Sequence, residues 1–377
     1  MSLPSTQYAC VANVDVEGKD LSSLEQVPVV LPEADQILVK TEAYAANPTD
    51  WKHIVLKWAD QGCIVGTDAS GTVAAVGSNV TNFKVGDYVS VFIHGAYWET
   101  PQCGAFAQFC LADQHLAIKY KKPLKHVAPA SGAEHIPGGP VDSFESAASM
   151  SLGVVTVSLS FSHFLKLSPD VPAPAGKIFL VWGGATATGI LAIQIAKLLG
   201  WRVIATASGK HHDSLKKLGA EACFNYGEAN VIEQIKKYGG EDIVRALDTV
   251  GSDTTIQQTH DAVADSATAL VDNLLFKKAS EVKNLKANVT ITASLSYVAI
   301  GLPVNLRGGL VIQTSEELVK DFRNFMKWSV ERVSSGDIKH APIKILPGGL
   351  KAANAAMNLL KEGKTSGEKL VFVAEEY

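Results

Sequence analysis

One string in this 377-residue chain could bind a charged ligand through its backbone. Gly183-Gly184-Ala185-Thr186-Ala187-Thr188-Gly189 follows the run KIFLVW (177–182) and precedes a segment whose Leu191, Ile195 and Leu198 recur at helical spacing. A tight turn from strand into helix gathers backbone N–H groups and the positive end of a helix dipole at one point, which suits a pyrophosphate. Gly183 and Gly189 fall where the backbone has to approach the phosphates and where helix and strand pack closely. The string is not G-x-G-x-x-G. Thr186 stands where a G-x-x-G-x-x-G version has its middle glycine, and Thr188 adds a second hydroxyl. Taken alone the string also fits a strand–helix turn that binds no nucleotide; the flanking elements favour the nucleotide.

The end of the next strand bears on which nucleotide. A site for NAD wants a carboxylate about 20 residues past the glycines, to bind the ribose 2′-hydroxyl. Here RVIATA (202–207) runs into Ser208-Gly209-Lys210-His211-His212, with no carboxylate before Asp213. A hydroxyl, an ammonium and imidazoles are donors and fit a dianionic 2′-phosphate, which points to NADPH. The plainer alternative has Ser208 capping a helix and Lys210 solvated. Tyr226, ending the third strand, either closes this pocket or packs.

The elements that must position these groups form a two-part pattern. The first ~145 residues read as β-rich, with short period-two runs at 37–45, 71–77, 87–93 and 105–112 separated by turn signals such as Asn47-Pro48 and Gly86-Asp87. That is the pattern of a small folded-over barrel. Residues 168–176 hold three prolines and no periodicity and read as a loop. Strands and helices then alternate: strands at 177–182, 202–207, 222–226, 243–251, 268–271 and 290–300, with helices over 190–200, 212–220 and 231–240. Such repeated units imply a doubly wound parallel sheet. Residues 317–336 read as an amphipathic helix, and two late strands (340–349 and 367–376) should rejoin the first part. The expected division is 1–150 with 318–377 for the β-rich domain and 151–317 for the α/β domain.

Composition sets the outer limits. Hydrophobic residues are 47% and charged residues 19%, enough for full cores and too apolar for a disordered chain. The formal net charge is −4, which gives no electrostatic basis for a nucleic-acid partner. The five cysteines (Cys10, Cys63, Cys103, Cys110, Cys223) are scattered and never spaced as C-x-x-C, which speaks against a disulfide framework or a four-cysteine zinc lobe. No basic n-region leads into an apolar stretch at the N-terminus, and no 18-residue apolar run is evident, so a cytoplasmic setting without membrane contact is expected.

With these residues in view, the chain resembles the quinone oxidoreductase-like branch of the medium-chain dehydrogenase/reductases. The resemblance rests on Gly66–Val73, Val76-Gly77, Phe83–Val89, Asn47-Pro48-Thr49-Asp50-Trp51-Lys52, Gly183–Gly189, Ser208–His211, Tyr226 and Ser366–Val371, in the family's order from about residue 8 to 374. Within the branch it is most similar to yeast and fungal zinc-independent reductases, among them trans-acting enoyl reductases and aldehyde reductases. The resemblance implies a GroES-like β-barrel catalytic domain interrupted by a Rossmann domain, an active site in the cleft between them, and NADPH as cofactor. In zinc-dependent relatives a Cys and a Gly-His-Glu segment help hold the metal. Asn47 and Gly66-Thr67-Asp68 stand there instead, so no metal site is expected.

Without a metal, hydride and proton must be placed by positioning and hydrogen bonding. Lys52, beside the Asn47–Asp50 segment, is the expected proton donor, since a family relative has a donating lysine there; a surface lysine is the alternative. The resemblance places Asn47 and Pro48 by the nicotinamide ribose, with Thr49 also among the cofactor-binding residues, Thr156 by the nicotinamide amide, and Val250, Gly251 and Leu302 along the cofactor's path, with Lys369 reaching it from the C-terminal strand. Asn47 as a turn residue, Thr156 as a half-buried helical threonine and Lys369 as a solvated strand lysine are the structural alternatives. His53, His94 and His340 have no metal-ligand spacing and read as structural. Trp51, Trp58, Tyr97 and Trp98 serve either a substrate mouth or the core. The expected activity is reduction of an activated C=C bond in an enoyl or alkenal small-molecule substrate. Direct reduction of aldehydes or quinones, and a non-catalytic dinucleotide-sensing module, are the rivals. Homodimer, monomer and pairing with a partner synthase all stay open.

Overall fold

In the computed structural model, residues 3–16, 18, 20–127 and 135–375 are described. They form two compact units, one of residues 1–152, 303–313 and 333–377, the other of 153–302 and 314–332.

The first unit is built on a curled, largely antiparallel sheet. Its strand order is Ala117–Tyr120, Tyr88–Phe92, Asp68–Val76, Gln36–Ala45, Lys369–Val373, Ile343–Leu346 and His135–Ile136, with Phe109–Asp113 also paired to Gln36–Ala45. The C-terminal strand therefore sits beside a strand formed over 300 residues earlier, in the register Val371↔Ala45. Alternation along Gln36–Ala45 sends Tyr44 inward, where it meets Phe106 edge-on at 6.1 Å and Phe372 at 5.1 Å. All three rings are buried, and truncating one of them costs ~3–5 kcal/mol. Two short segments read as turn or left unassigned in the sequence form regular structure: the hairpin of Thr6–Ala12 with Ser22–Pro28, and the helix Pro48–Val55. Proline at the first helical position explains how Asn47-Pro48 both turns the chain and starts a helix.

The second unit has a six-stranded parallel sheet in the order Ala222–Phe224, Arg202–Thr206, Ile178–Trp182, Ile243–Asp248, Ala269–Asn273, Val289–Ala293. In chain order this is 3-2-1-4-5-6, the Rossmann arrangement, whose ligand crevice opens at the carboxyl ends where the order reverses. Ile178–Trp182 is buried at every residue, as a strand covered on both faces must be. Three details depart from expectation. The strand expected over 290–300 ends at Ala293 and continues as the 3₁₀ turn Ser296–Ile300, because Tyr297, Val298 and Ala299 are buried in a helical turn rather than on a pleat. The helix Glu316–Ser335 belongs to this unit as far as Arg332, while 303–313 goes with the first, unlike the division at 317/318 read from the sequence. The helix is held by Phe325 against Phe161 at 6.2 Å and by Ser329 to Ser158 at 3.0 Å. Third, the helical run Phe144–Phe164 is long and apolar enough to cross a membrane on length and composition alone, contrary to the expected absence of such a run. Its most apolar window is 78% buried within the fold, as for a core helix.

Candidate active site

The turn at the end of Ile178–Trp182 is fixed by hydroxyls. Gly183 takes φ +82°, a conformation open to glycine without strain. Its N–H donates to Thr206 Oγ1 at 3.0 Å, and the Gly184 N–H donates to the Thr206 carbonyl at 2.8 Å. Thr186 is the N-cap of the helix Ala187–Leu198: its Oγ1 accepts from the Gly189 N–H at 2.9 Å and donates to Thr249 Oγ1 at 2.9 Å. Thr249 in turn donates toward the carbonyls of Trp182 and Gly183, at 2.9 and 3.0 Å. The departure from glycine at 186 thus has a structural use as cap and cross-link. A Cβ on Gly189 would lie 2.3 Å from the Gly183 carbonyl oxygen. Only glycine at 189 lets the helix start pack this closely on the turn, and a helix N-terminus following such a turn fits a dinucleotide pyrophosphate.

Around this turn, Val250 is exposed and Gly251 buried. Both are held by Asp248, whose Oδ1 accepts from the N–H groups of Val250 at 2.9 Å and Gly251 at 3.0 Å. Burial pushes the Asp248 carboxyl up in pKa, against these hydrogen bonds and one from Thr255. Ser208 precedes the 3₁₀ turn Gly209–His211, with Lys210 exposed and His211 half-buried. His211 titrates below the usual histidine range, through burial first and then the charges of Lys210 and His212. Tyr226 is exposed, as is Leu302. Thr156 is half-buried on the helix Ser151–Leu159, and Ala185, Ala187 and Thr188 are half-buried along the turn. Thr206, Asp248 and Thr249 escaped the sequence reading as site residues. Their positions at strand ends next to the glycines were the available signal.

In the first unit, Asn47, Asp50, Thr67, Asp68 and Lys369 form a buried polar network. The Asn47 backbone N–H donates to Asp50 Oδ2 at 2.7 Å, and Thr67 Oγ1 donates to Asp50 Oδ1 at 2.8 Å. Asn47 Nδ2 donates to Thr67 Oγ1 and to Asp68 Oδ2, each at 2.9 Å. Lys369 Nζ donates to Asn47 Oδ1 and, at 3.1 Å, to Asp68 Oδ2; the Leu152 N–H donates to Asp68 Oδ1 at 2.7 Å. Burial raises the Asp50 pKa to about 7, against the hydrogen bonds from Asn47 and Thr67. Asn47 is the N-cap of Pro48–Val55 and Asp50 its third residue, so this network sets the start of the helix carrying Lys52. Lys52 is half-buried, with Nζ 5.8 Å from the Trp51 ring centroid, and burial lowers its pKa. Pro48 is exposed and Thr49 half-buried.

The histidines and aromatic residues form a ring stack in the same unit. His53 meets Trp58 at 5.2 Å and His94 at 5.1 Å, and His94 lies flat on Tyr97 at 3.9 Å. Burial lowers the pKa of His53 to about 4, and burial together with the neighbouring His53 holds His94 well below the usual histidine range, so both are neutral near pH 7. His340 lies apart, its Nδ1 donating to the Ala341 carbonyl at 2.7 Å. Trp98 Nε1 donates to the Asn305 carbonyl at 2.9 Å, tying the ring stack to the 303–313 segment.

Comparison with known proteins agrees with this geometry. Residues 33–122 match the alcohol dehydrogenase GroES-like domain family, and residues 187–303 match the zinc-binding dehydrogenase family. The Saccharomyces cerevisiae uncharacterized protein YNL134C is 34% identical, covering 99% of both chains. The trans-enoyl reductase caaB of Aspergillus niger is 31% identical, covering 98% of both. The quinone oxidoreductase of Coxiella burnetii shares the fold, with a TM-score of 0.67 at 24% identity over 98% of this chain and 100% of that one.

The second family's name implies zinc, which is held by Cys sulfur and His nitrogen with at most a carboxylate or water beside them. The network at Asn47 offers an amide, a hydroxyl and two carboxylates, one of them already holding an ammonium. These residues do not fit a zinc ion. Elsewhere, His163, Glu317 and Asp321 bring ligand atoms within 4.8 Å of one another. His163 Nδ1 is 3.0 Å from Asp321, and Lys166 is 3.6 Å from Glu317, the arrangement of a surface ion-pair group. The paired domains, the full-length relatives and the six-stranded parallel sheet together assign the chain to the medium-chain dehydrogenase/reductases, oxidoreductases that use a nicotinamide dinucleotide.

Proposed function

We propose that the chain is an NADPH-dependent reductase of activated C=C bonds in enoyl or alkenal substrates, working without a metal. The observation that carries this reading is the donor set around Asn47, where an ammonium, an amide, a hydroxyl and two carboxylates interlock with no cysteine or histidine among them. An isolated carbonyl needs strong polarisation before it accepts hydride. A conjugated one does not, because charge arriving at the β-carbon spreads to the oxygen, where a single positioned donor stabilises it. The name of the Aspergillus niger relative, a trans-enoyl reductase, supports the same substrate class.

Bound NADPH supplies the hydride. The chain's own part is binding and proton placement. Gly183–Gly189 and the helix start hold the pyrophosphate, and Ser208, Lys210, His211 and Tyr226 hold the 2′-phosphate through donors that a carboxylate would oppose. In the second unit, Thr156, Val250, Gly251 and Leu302 are read as contacts of the nicotinamide end of the cofactor; in the first, Asn47, Pro48 and Thr49 are read as cofactor contacts. Lys52 gives the proton, and its burial makes the ammonium a readier acid near neutral pH.

The test is NADPH oxidation against enones, alkenals, saturated aldehydes and quinones, with products identified. A saturated aldehyde from an alkenal is expected. Lys52→Met should lower kcat by ~10²–10⁴ with NADPH affinity unchanged. An unsaturated alcohol as the product, or wild-type rates in Lys52→Met on every substrate, overturns the assignment.

A further inference from the structure

Three neighbouring strands bring their ends together at the Asn47 network. Gln36–Ala45 ends two residues before Asn47, Asp68 opens the strand paired to it, and Lys369 opens the strand on its other side. The Ala46 N–H donates to the Leu370 carbonyl at 2.9 Å, so the backbones of the first and the third of these are joined beside the lysine. Lys369 is 5% exposed and Asp68 0%. A buried carboxylate without a compensating charge is costly, and the ammonium supplies that charge from within the chain. Every hydrogen bond in the network runs in one consistent direction. Lys369 donates to Asn47 and Asp68, Asn47 donates to Asp68 and Thr67, and Thr67 donates to Asp50. The orientation of the Asn47 amide is therefore fixed from both sides: Oδ1 accepts from the Lys369 ammonium, while Nδ2 faces the acceptors on Thr67 and Asp68.

We propose that Lys369 is a positioning residue: its ammonium is an internal cation that pairs with Asp68, orients Asn47, and so fixes the first turn of the helix that carries Lys52. The cation is covalently part of the sheet and occupies the polar cluster that zinc ligands would need. This differs from a lysine whose work is to bind the cofactor, the role expected from the sequence. The catalytic half of the proposal rests on the reading of Lys52 as proton donor; the structural half does not.

The test uses the full chain with Lys369→Met, Asp68→Asn and the double variant. Each single change removes one partner of a buried pair, whereas the double change leaves two neutral groups of similar size. Each single variant should lower the thermal midpoint, and the double variant should lower it by less than the sum of the two. Amide hydrogen exchange in residues 48–55 should quicken at least ~10-fold in Lys369→Met, while exchange in residues 187–198 stays unchanged. With an enone that the wild type reduces, kcat of Lys369→Met should fall ~10-fold or more while NADPH Kd stays within ~3-fold. Strictly additive midpoints with unchanged exchange overturn the structural half. A raised NADPH Kd at unchanged kcat overturns the positioning role in favour of cofactor binding. If the wild type reduces no enone, the proposed function fails, and the midpoint and exchange results still decide whether the clamp exists.

Discussion

Replacing Gly189 by alanine tests the cofactor cradle at its tightest point. The new Cβ would stand 2.3 Å from the Gly183 carbonyl oxygen and 2.9 Å from Gly184 Cα, both backbone atoms that cannot swing aside. Ordinary contact for such atoms is ~3.5 Å, so the turn must open by about 1 Å. A displacement of that size at a positioned group costs ~10²-fold, which corresponds to ~2.7 kcal/mol of binding. Overpacking adds ~1–3 kcal/mol of destabilisation. The assay is NADPH binding by fluorescence titration, run beside circular dichroism and thermal unfolding to confirm that the variant folds. Gly139→Ala is the control, since the nearest atom to its Cβ would be 3.9 Å away and its backbone is not in the left-handed region. The expected result is a folded Gly189→Ala protein with NADPH Kd raised ~10- to 100-fold and a Gly139→Ala protein like the wild type. A folded Gly189→Ala variant with Kd within twofold of wild type would refute the assignment of this turn to the pyrophosphate.

Other consequences follow from the same physics. Hydrogen bonds from His126 to Glu145 at 2.9 Å and Glu42 at 3.4 Å hold its imidazolium and raise its pKa from 6.5 to about 9. The folded value lies above the unfolded one, so this stabilisation is full below about pH 6.5 and is lost as pH rises through about 9. Its ceiling of ~3 kcal/mol falls to ~1 kcal/mol for a side chain 39% exposed, and urea midpoints across that window should lose this slope in His126→Ala. Ser208→Asp combined with Lys210→Ala should shift kcat/KM toward NADH by at least ~10-fold, because a carboxylate repels the 2′-phosphate and accepts from a free 2′-hydroxyl; an unchanged NADPH preference would count against the pocket. Asp248→Ala leaves the Val250 and Gly251 N–H groups and the Thr255 hydroxyl without their acceptor, and should lower stability by ~1–3 kcal/mol in denaturant titrations.

Much of the α/β unit was legible because its signals are local. A continuous apolar run such as 178–182 needs burial on both faces, and the glycines that follow need a turn, so strand, turn and helix can be read from adjacent residues. The strand expected over 290–300 shows the limit. Burial of Tyr297, Val298 and Ala299 makes the same apolar run whether the backbone is pleated or coiled. The run at 144–164 shows another: its serines interrupt the apolar pattern in the sequence but are absorbed by hydrogen bonds in the fold, such as Ser160 to Asp272 at 2.6 Å and Ser162 to the Ser158 carbonyl at 2.7 Å.

What the chain determined by itself was therefore the type and order of its elements, the glycine-rich turn with no acid at the end of the second strand, and membership of a family. What only the tertiary structure decided was partnership. Nothing in sequence separation tells Lys369 that its charge will face Asn47 and Asp68, more than 300 residues away, or tells Thr186 that it will bond Thr249. Those pairings arise because strands distant in the chain become neighbours in a sheet. Once such strands exclude water, each buried charge or hydroxyl must be satisfied by whichever group the register has placed opposite it.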